Sequence, residues 1–287
     1  MCLMMKSRRI AIFFIIAASV TFTGEKAIER AFPSDNTLDM VSIPTGKFWM
    51  GCNEEADRKC HPQEKPGHYV YVNGYSIDLF EVSVRQYKEC VKAGKCSDKM
   101  VGWYDLTSFG MAPPVRSEMC NYEQKRTDDY PMNCLTWFEA DEFCRWAGKR
   151  LPTEAQWERA ARGDSDKRIY PWGNDPPDCS MVVHRDPRNG PGCGKYSTHN
   201  VKSKKDGVSP YGIYGLGGNV WEWTADWYDA RYYDKAVTAN PTGAPNGKTK
   251  TIKGGSWNGV DYFIRSSFRL GFPPQYRDFN GGFRCAK

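Results

Sequence analysis

The stretch that decides the fold reads WAGKRLPTEAQWE and covers residues 146–158. Within it, Thr153 precedes an apolar helical pattern and Gln156 follows three residues later, which is the capping-box arrangement found at helix starts. Apolar residues then recur on one face until Gly163, a typical C-terminal stop. The sequence therefore predicts a short, well-capped amphipathic helix here.

Two more helices are predicted upstream by the same kind of punctuation. Thr136 and Glu139 form a second capping box, and that segment ends at Gly148. Ser83 can cap a third segment, in which apolar residues fall on one face before Gly94. These three helices account for most of the regular structure that the sequence predicts.

The rest of the chain predicts short strands between long loops. Residues 69–72 and 249–253 alternate in the manner of strands, and Gly, Pro and Asp fill the loops around them. No internal repeat is apparent, so residues 39–287 are interpreted as one domain. Eight tryptophans are spread along the chain from residue 137 onward, and aromatic residues in glycine-rich loops typically fill an irregular core, with the indole N–H bonded to a backbone carbonyl. They are Trp137, Trp146, Trp157, Trp172, Trp221, Trp223, Trp227 and Trp257.

Cysteine usage favours an oxidising compartment. The chain has 11 cysteines, and setting aside Cys2 in the N-terminal segment leaves an even number. Short spacings favour four local bridges, and Cys144 and Cys285 are then left to each other. The local pairs are Cys52 with Cys60, Cys90 with Cys96, Cys120 with Cys134, and Cys179 with Cys193. Zinc is the alternative, but there is no CxxC pair and His61 lacks partners at zinc-finger spacing, so disulfides are preferred.

Residues 1–27 have the layout of a secretory signal. Basic residues lie between positions 6 and 9, and the apolar run Ile10–Phe22 follows them. That run is shorter than the roughly 20 residues needed to cross a bilayer, so a cleaved signal is preferred to an anchor, although no ideal A-x-A site is visible. We expect a linker at residues 28–38, a secreted or periplasmic location, and membrane attachment only if the signal is uncleaved.

The charge does not predict a nucleic-acid partner. The net charge is +6, and it falls to +3 without residues 1–27, because four basic residues and one acidic residue lie there. A short basic run at Lys202–Lys205 occurs in a stretch with Gly, Ser and Pro and is typical of a solvated loop.

Several motifs accompany the opening stretch in a fixed order. They are MVSIPTGKFWMG (40–51), WAGKRLPTEAQWE (146–158), YPWGN (170–174), GNVWEWT (218–224), GGSW (254–257) and GFRC (282–285). The combination resembles the formylglycine-generating enzyme, or sulfatase-modifying factor, family and covers nearly the whole predicted domain. The resemblance implies an irregular α+β fold, related to C-type lectins and stapled by disulfides, and it also implies the Cys144–Cys285 bridge.

Active members of that family oxidise a cysteine of a sulfatase peptide to formylglycine with copper and oxygen, and two cysteines after the GGS motif hold the metal. The matching positions here are Gly259 and Ile264. Neither residue offers the thiolate that soft Cu(I) requires, and Cys285 is assigned to a bridge. The sequence therefore predicts that copper is not bound and that the family reaction is absent.

The resemblance also implies a structural calcium site at the GNxWE motif. Its ligands would be two backbone carbonyls and a carboxylate, which here belong to Gly218, Val220 and Glu222. Gly215 stands where the family usually has Asn or Asp, so calcium occupancy is left open against a Glu222 that bonds backbone amides. A second family calcium site falls near Cys179 and Cys193, whose bridge is interpreted as its covalent replacement.

The first of three hypotheses for the function is an exported, non-catalytic domain that binds a peptide or protein partner. Aromatic and arginine side chains dominate recognition sites, although each of them can instead fill a core or a turn. The candidate contacts are Trp257, Asn258, Asp261, Tyr262, Arg265 and Arg269.

The two other hypotheses are enzymes. A metal-dependent oxidoreductase could use a different metal, for example iron held by two histidines and one carboxylate. The available histidines are His61, His68, His184 and His199, which are widely spaced. A hydrolase with Ser256 as nucleophile lacks a local base signature. The binding function is ranked first, the oxidoreductase second and the hydrolase third.

Overall fold

The computed structural model of the 287-residue chain describes residues 39–105, 113–164 and 168–287. The predicted signal and linker, residues 1–38, lie outside the described residues. The helices are α1 (Val84–Lys92), α2 (Trp137–Trp146) and α3 (Glu154–Arg162). The strands are β1 (Met40–Ile43), β2 (Gly46–Met50), β3 (His68–Val72), β4 (Tyr75–Asp78), β5 (Trp103–Tyr104), β6 (Val115–Arg116), β7 (Trp221–Trp227), β8 (Lys250–Lys253), β9 (Arg269–Phe272) and β10 (Gly281–Gly282). Within these ranges, no helix has the length and apolar character needed to cross a membrane.

All three helices begin at capping boxes. In α3, Thr153 Oγ1 accepts from the Gln156 amide at 3.2 Å, and Gln156 Oε1 accepts from the Thr153 amide at 3.0 Å. Thr136 and Ser83 cap α2 and α1 in the same way. Each cap satisfies backbone N–H groups that a helix start leaves unpaired, which stabilises it by about 1 kcal/mol. The helix starts predicted from the sequence are confirmed.

The central sheet has four strands in the order β10-β7-β8-β9. Strands β7, β8 and β9 are antiparallel, and β10 lies parallel to β7. The pairs β1–β4, β2–β3 and β5–β6 form small two-stranded antiparallel sheets. The strands predicted at residues 69–72 and 249–253 correspond to β3 and β8. With few helices and much irregular chain, the structure confirms the predicted α+β class.

Tryptophans contribute to the core, as predicted, but their N–H groups find mixed partners. Trp157 is fully buried and donates to Glu222 Oε2 at 2.8 Å, a carboxylate rather than a carbonyl. Trp137 donates to the Thr224 carbonyl at 2.7 Å. Trp223 Nε1 is buried and has no hydrogen-bond partner among the described residues. The carbonyl partners expected from the sequence are therefore found for only some of these indoles.

The described residues contain five disulfides, and they are the five pairs predicted from the sequence. The longest connection joins Cys144 in α2 to Cys285, across 141 residues. Ala286 exchanges two backbone hydrogen bonds with Arg150, at 2.7 and 2.8 Å. Lys287 donates its amide to the Ser76 carbonyl at 2.8 Å. The last residues therefore hold the loop before α3 and strand β4 together.

Candidate functional site

The candidate site is the segment from Gly254 to Arg269, which follows β8 and contains the positions that the resemblance assigns to chemistry. Gly254 and Gly255 have φ values of +94° and +74°, a backbone region that other residues rarely adopt. A Cβ on Gly255 would lie 2.5 Å from Cγ2 of Ile264. The glycines therefore allow the segment to fold back on itself.

Neither position expected to hold copper carries a suitable ligand. Ile264 is fully buried in an apolar cluster with Tyr170 and Val182. Gly259 lies in a turn and donates its amide to the Ser256 carbonyl at 2.9 Å. Because Cu(I) favours soft sulfur ligands, an aliphatic side chain and a bare backbone do not fit a copper ion.

Two loops, residues 185–196 and residues 256–262, are joined into one surface that we call the two-loop face. The amide and Nε of Arg185 donate to the carbonyls of Gly259 and Asn258, at 2.9 and 3.0 Å. The Gly192 amide donates to the Trp257 carbonyl at 2.7 Å. These bonds hold the second loop against the first.

The predicted contact residues on this segment divide into exposed and buried groups. Asn258, Asp261 and Tyr262 are partly exposed at the two-loop face. Trp257 is only 4% exposed, and its ring centre lies 6.0 Å from that of Phe279. The expectation that Trp257 meets a partner is therefore corrected, because its indole is part of the interior.

Arg265 is likewise an interior residue. Its guanidinium is fully buried, lies 2.6 Å from Glu64 Oε1 and 2.8 Å from Asp57 Oδ2, and stacks 4.4 Å from the Tyr262 ring centre. Burial alone would lower the pKa of Arg265, but the two carboxylates raise it above its ordinary value. The cation stays charged and ties the 51–67 loop to the candidate segment.

Arg269 has a similar structural role. It forms a two-point contact with Glu154, with Nε–Oε1 at 2.7 Å and Nη2–Oε2 at 2.8 Å, and both side chains are buried. Lys253 lies nearby, 3.0 Å from Glu158. Removing one member of such a buried set costs about 3–5 kcal/mol, because the partner charge is left uncompensated. Arg265 and Arg269 were predicted as partner contacts, and burial corrects both to residues that hold the core.

The carboxylate expected to bind calcium is also engaged within the protein. Glu222 is fully buried, and Arg284 contacts its two oxygens at 2.7 Å each. Trp157 donates to Oε2 as well. The alternative expectation, that Glu222 bonds backbone amides, is therefore replaced by bonds to side chains.

Glu81 occupies the place left by the ligand missing at position 215. A Cβ on Gly215 would lie 2.6 Å from the carboxylate atoms of Glu81. Glu81 Oε1 accepts from Asn219 Nδ2 at 2.9 Å, while Oε2 is buried without a partner among the described residues. Burial raises the pKa of Glu81 to about 8, with Glu222 adding to the rise against Arg284. The unpartnered Oε2 of Glu81 is a hard oxygen of the kind that calcium prefers.

Sequence reasoning missed Glu81 because no local motif marks it. It lies just before α1, far along the chain from the GNxWE motif, and only the fold brings the two together.

Among the described residues, the histidines are not gathered into the iron site of the oxidoreductase hypothesis. Across the described ranges, no group of ligand-type side chains joins two histidines with a carboxylate. His199 Nε2 bonds the Gly192 carbonyl at 2.9 Å, and burial lowers its pKa. His184 is fully buried with Nε2 3.5 Å from Asp261 Oδ1.

The hydrolase hypothesis also lacks support at its proposed nucleophile. Ser256 donates its hydroxyl to the side-chain amide oxygen of Asn258 at 3.1 Å, and an amide is not a general base.

The chain is similar to known proteins in both sequence and fold. The family model of the sulfatase-modifying factor enzyme 1-like domain matches residues 26–287. The chain belongs to this family. A formylglycine-generating enzyme of Thermomonospora curvata is 32% identical over 90% of this chain and 96% of its own. A bovine relative that is 29% identical over 87% of this chain and 88% of its own is named an inactive C-alpha-formylglycine-generating enzyme 2.

Among solved structures, PvdO from Pseudomonas aeruginosa superposes on this sulfatase-modifying factor domain with a TM-score of 0.69 at 23% identity. The match covers 86% of this chain and 93% of PvdO, and it shows that the fold is shared. The sulfatase-modifying factor domain described here thus keeps the family fold.

Proposed function

We propose that this protein is an exported, non-catalytic member of the sulfatase-modifying factor family that binds a peptide or protein partner. The observation that supports it best concerns the two positions where the family resemblance expects copper-binding thiolates. Gly259 has no side chain there, and Ile264 has a buried aliphatic one. A bovine relative that is named as inactive supports the non-catalytic part of the proposal.

The two-loop face is the surface proposed to bind this partner. It exposes Tyr196 and Val260, whose side chains are 63% and 44% accessible, and Asp261 lies beside Val260. Aromatic and apolar side chains next to a charge are typical of recognition surfaces. The partner proposed is an extended segment with an apolar side chain and a neighbouring cation.

Export and calcium binding are part of the same proposal. Five disulfides in one domain are typical of proteins that fold in an oxidising compartment. Structural calcium would be held by Gly218 and Val220 carbonyls, Glu222 and the unpartnered oxygen of Glu81. The ion would neutralise the charge of ionised Glu81, whereas Glu222 already has Arg284 as its counter-charge.

The non-catalytic part is tested by turnover. Purified copper-treated protein is incubated with a cysteine-containing sulfatase peptide and oxygen, and mass spectrometry searches for an aldehyde in place of the thiol. No conversion is expected. Chelator-sensitive conversion would contradict the proposal.

The binding part is tested by selecting peptides from a displayed library on the purified domain. Tyr196→Ala and Val260→Ser are expected to weaken the selected peptides about 10-fold or more, as recognition residues do. Phe138→Ala is the matched control, because Phe138 is 56% exposed on α2, away from these loops in sequence. Equal affinity in all three variants would contradict the proposed surface.

A further inference from the structure

The Cys179–Cys193 disulfide differs from the other described bridges because a histidine side chain lies beside it. His184 offers a ring nitrogen that lies within 4.8 Å of the sulfurs of both Cys179 and Cys193. The Cys193 amide also donates to the His184 carbonyl at 3.1 Å, so the backbone holds the histidine and this bridge in register. Two sulfurs and an imidazole therefore converge on one point.

The imidazole of His184 lacks the partners that a buried histidine normally has. Its side chain is fully buried, and neither ring nitrogen has a hydrogen-bond partner among the described residues. Leaving a buried polar atom unpaired costs about 1–3 kcal/mol, so such an atom requires an explanation. A ligand supplied from outside the chain would provide one.

Asp261 lies on the other loop of the two-loop face and reaches the same imidazole. Its Oδ1 is 3.5 Å from His184 Nε2, and its side chain is 36% exposed. Histidines that bind metals usually donate their second ring N–H to a carboxylate, which orients the ring. Asp261 is placed for this role as a positioning residue.

The bridge is also open to a reductant. Cys179 and Cys193 are both partly exposed, whereas each of the other four bridges contains at least one buried cysteine. The second group of ligand-type side chains, which surrounds Cys52 and Cys60, is different, because its Asp57 already pairs with Arg265 at 2.8 Å. Among the described bridges, only Cys179–Cys193 therefore combines two partly exposed cysteines with a neighbouring imidazole that makes no hydrogen bond.

We propose that Cys179, His184 and Cys193 form a binding site for a divalent metal of intermediate softness such as Zn²⁺, with His184 oriented by Asp261. The site becomes available only when the Cys179–Cys193 disulfide is reduced to two thiols. A dithiol supplies two electrons and two protons, the S–S bond breaks to give two thiols, and the dithiol becomes a disulfide. Metal binding then releases the two thiol protons to solvent, and two thiolates balance the charge of the ion. Three protein ligands leave one position open on a tetrahedral ion.

The test uses the whole purified domain and Co²⁺ as a spectroscopic substitute for zinc. A phosphine reductant is added until alkylation and mass spectrometry find two free thiols, at Cys179 and Cys193. We expect this reduced form to bind one Co²⁺ per chain and to show cobalt–thiolate absorption bands, which disappear when Zn²⁺ displaces the cobalt. The oxidised form should show no such bands. Near-UV circular dichroism reports that the domain stays folded.

The variants separate a metal site from general thiol chemistry. His184→Gln keeps both cysteines and is expected to lower cobalt affinity at least 10-fold, and Asp261→Asn about 10-fold. Cys120→Ser with Cys134→Ser is the control, because that bridge has the same separation of 14 residues, and it should leave cobalt binding unchanged.

Three results would overturn the proposal. They are cobalt binding that is equal before and after reduction, cobalt bands that survive His184→Gln, and a Cys179–Cys193 bridge that opens only when the domain unfolds. The outcome is independent of the proposed partner, because the assay contains only protein, reductant and metal.

Discussion

Removal of the Cys144–Cys285 bridge should destabilise the domain far more than removal of Cys90–Cys96. The first bridge spans 141 residues and the second spans 6. With the chain-entropy relation for loop closure, these separations correspond to about 5 and about 2 kcal/mol at 25 °C. The comparison is matched, because Cys144, Cys285 and Cys90 are fully buried and Cys96 is 9% exposed, so a change to alanine removes similar packing in each pair.

The measurement is guanidinium-induced unfolding of two double variants, Cys144→Ala with Cys285→Ala and Cys90→Ala with Cys96→Ala, against wild type. The free energies of unfolding should differ by about 3 kcal/mol between the variants. For a domain of this size the melting temperature falls about 2–4 °C per kcal/mol, so the losses are about 10–20 °C and about 4–8 °C. Equal destabilisation of the two variants would refute the argument from loop length.

Thiol titration of the denatured, non-reduced domain of residues 39–287 should find no reactive group, and one or two per chain would contradict the five bridges. Without calcium, the free energy of unfolding should fall as pH rises from about 4.5 to about 8, because folded Glu81 keeps a proton that the unfolded chain has released. Urea titrations at several pH values measure this slope, and Glu81→Gln should flatten it. Calcium should raise the melting temperature of wild type, and the rise should be larger at about pH 9 than at about pH 6, because protons compete with calcium for Glu81. The rise should vanish in Glu81→Gln and Glu222→Gln. Equal melting temperatures of wild type in calcium and in chelator would show that no ion binds. Gly259→Cys together with Ile264→Cys should allow Cu(I) uptake, measured by metal analysis after dialysis, and uptake equal to that of wild type would show that these two positions do not account for the missing site.

The features predicted correctly from the sequence depend on local chemistry. The two predicted capping boxes and the predicted Ser83 cap each lie within four consecutive residues, so Thr153 and Gln156 reveal a helix start without knowledge of the fold. Four of the disulfides close short loops, and Cys144 and Cys285 then remain as a pair. Such signals are independent of how distant segments pack.

The interior charges could not be predicted in this way. Arg265 and its partner Glu64 lie 201 residues apart, and nothing near either residue indicates the other. Arginines in a loop close to a family motif favour a recognition site, yet the fold buries Arg265 and Arg269 against carboxylates from other segments. Glu81 and Gly215 are a similar case, because the carboxylate of one residue fills the space beside the other.

The position of Arg284 and Cys285 has a consequence for biosynthesis. Arg284 provides the counter-charge for Glu222 in the middle of the fold, and Cys285 completes the bridge to α2. Because ribosomes deliver a chain from its N-terminus, the central sheet and α2 emerge while Glu222 still lacks its cation and Cys144 its partner. The Arg284–Glu222 ion pair and the Cys144–Cys285 bridge therefore form only after residue 285 has emerged, which is later than the segments that they hold together.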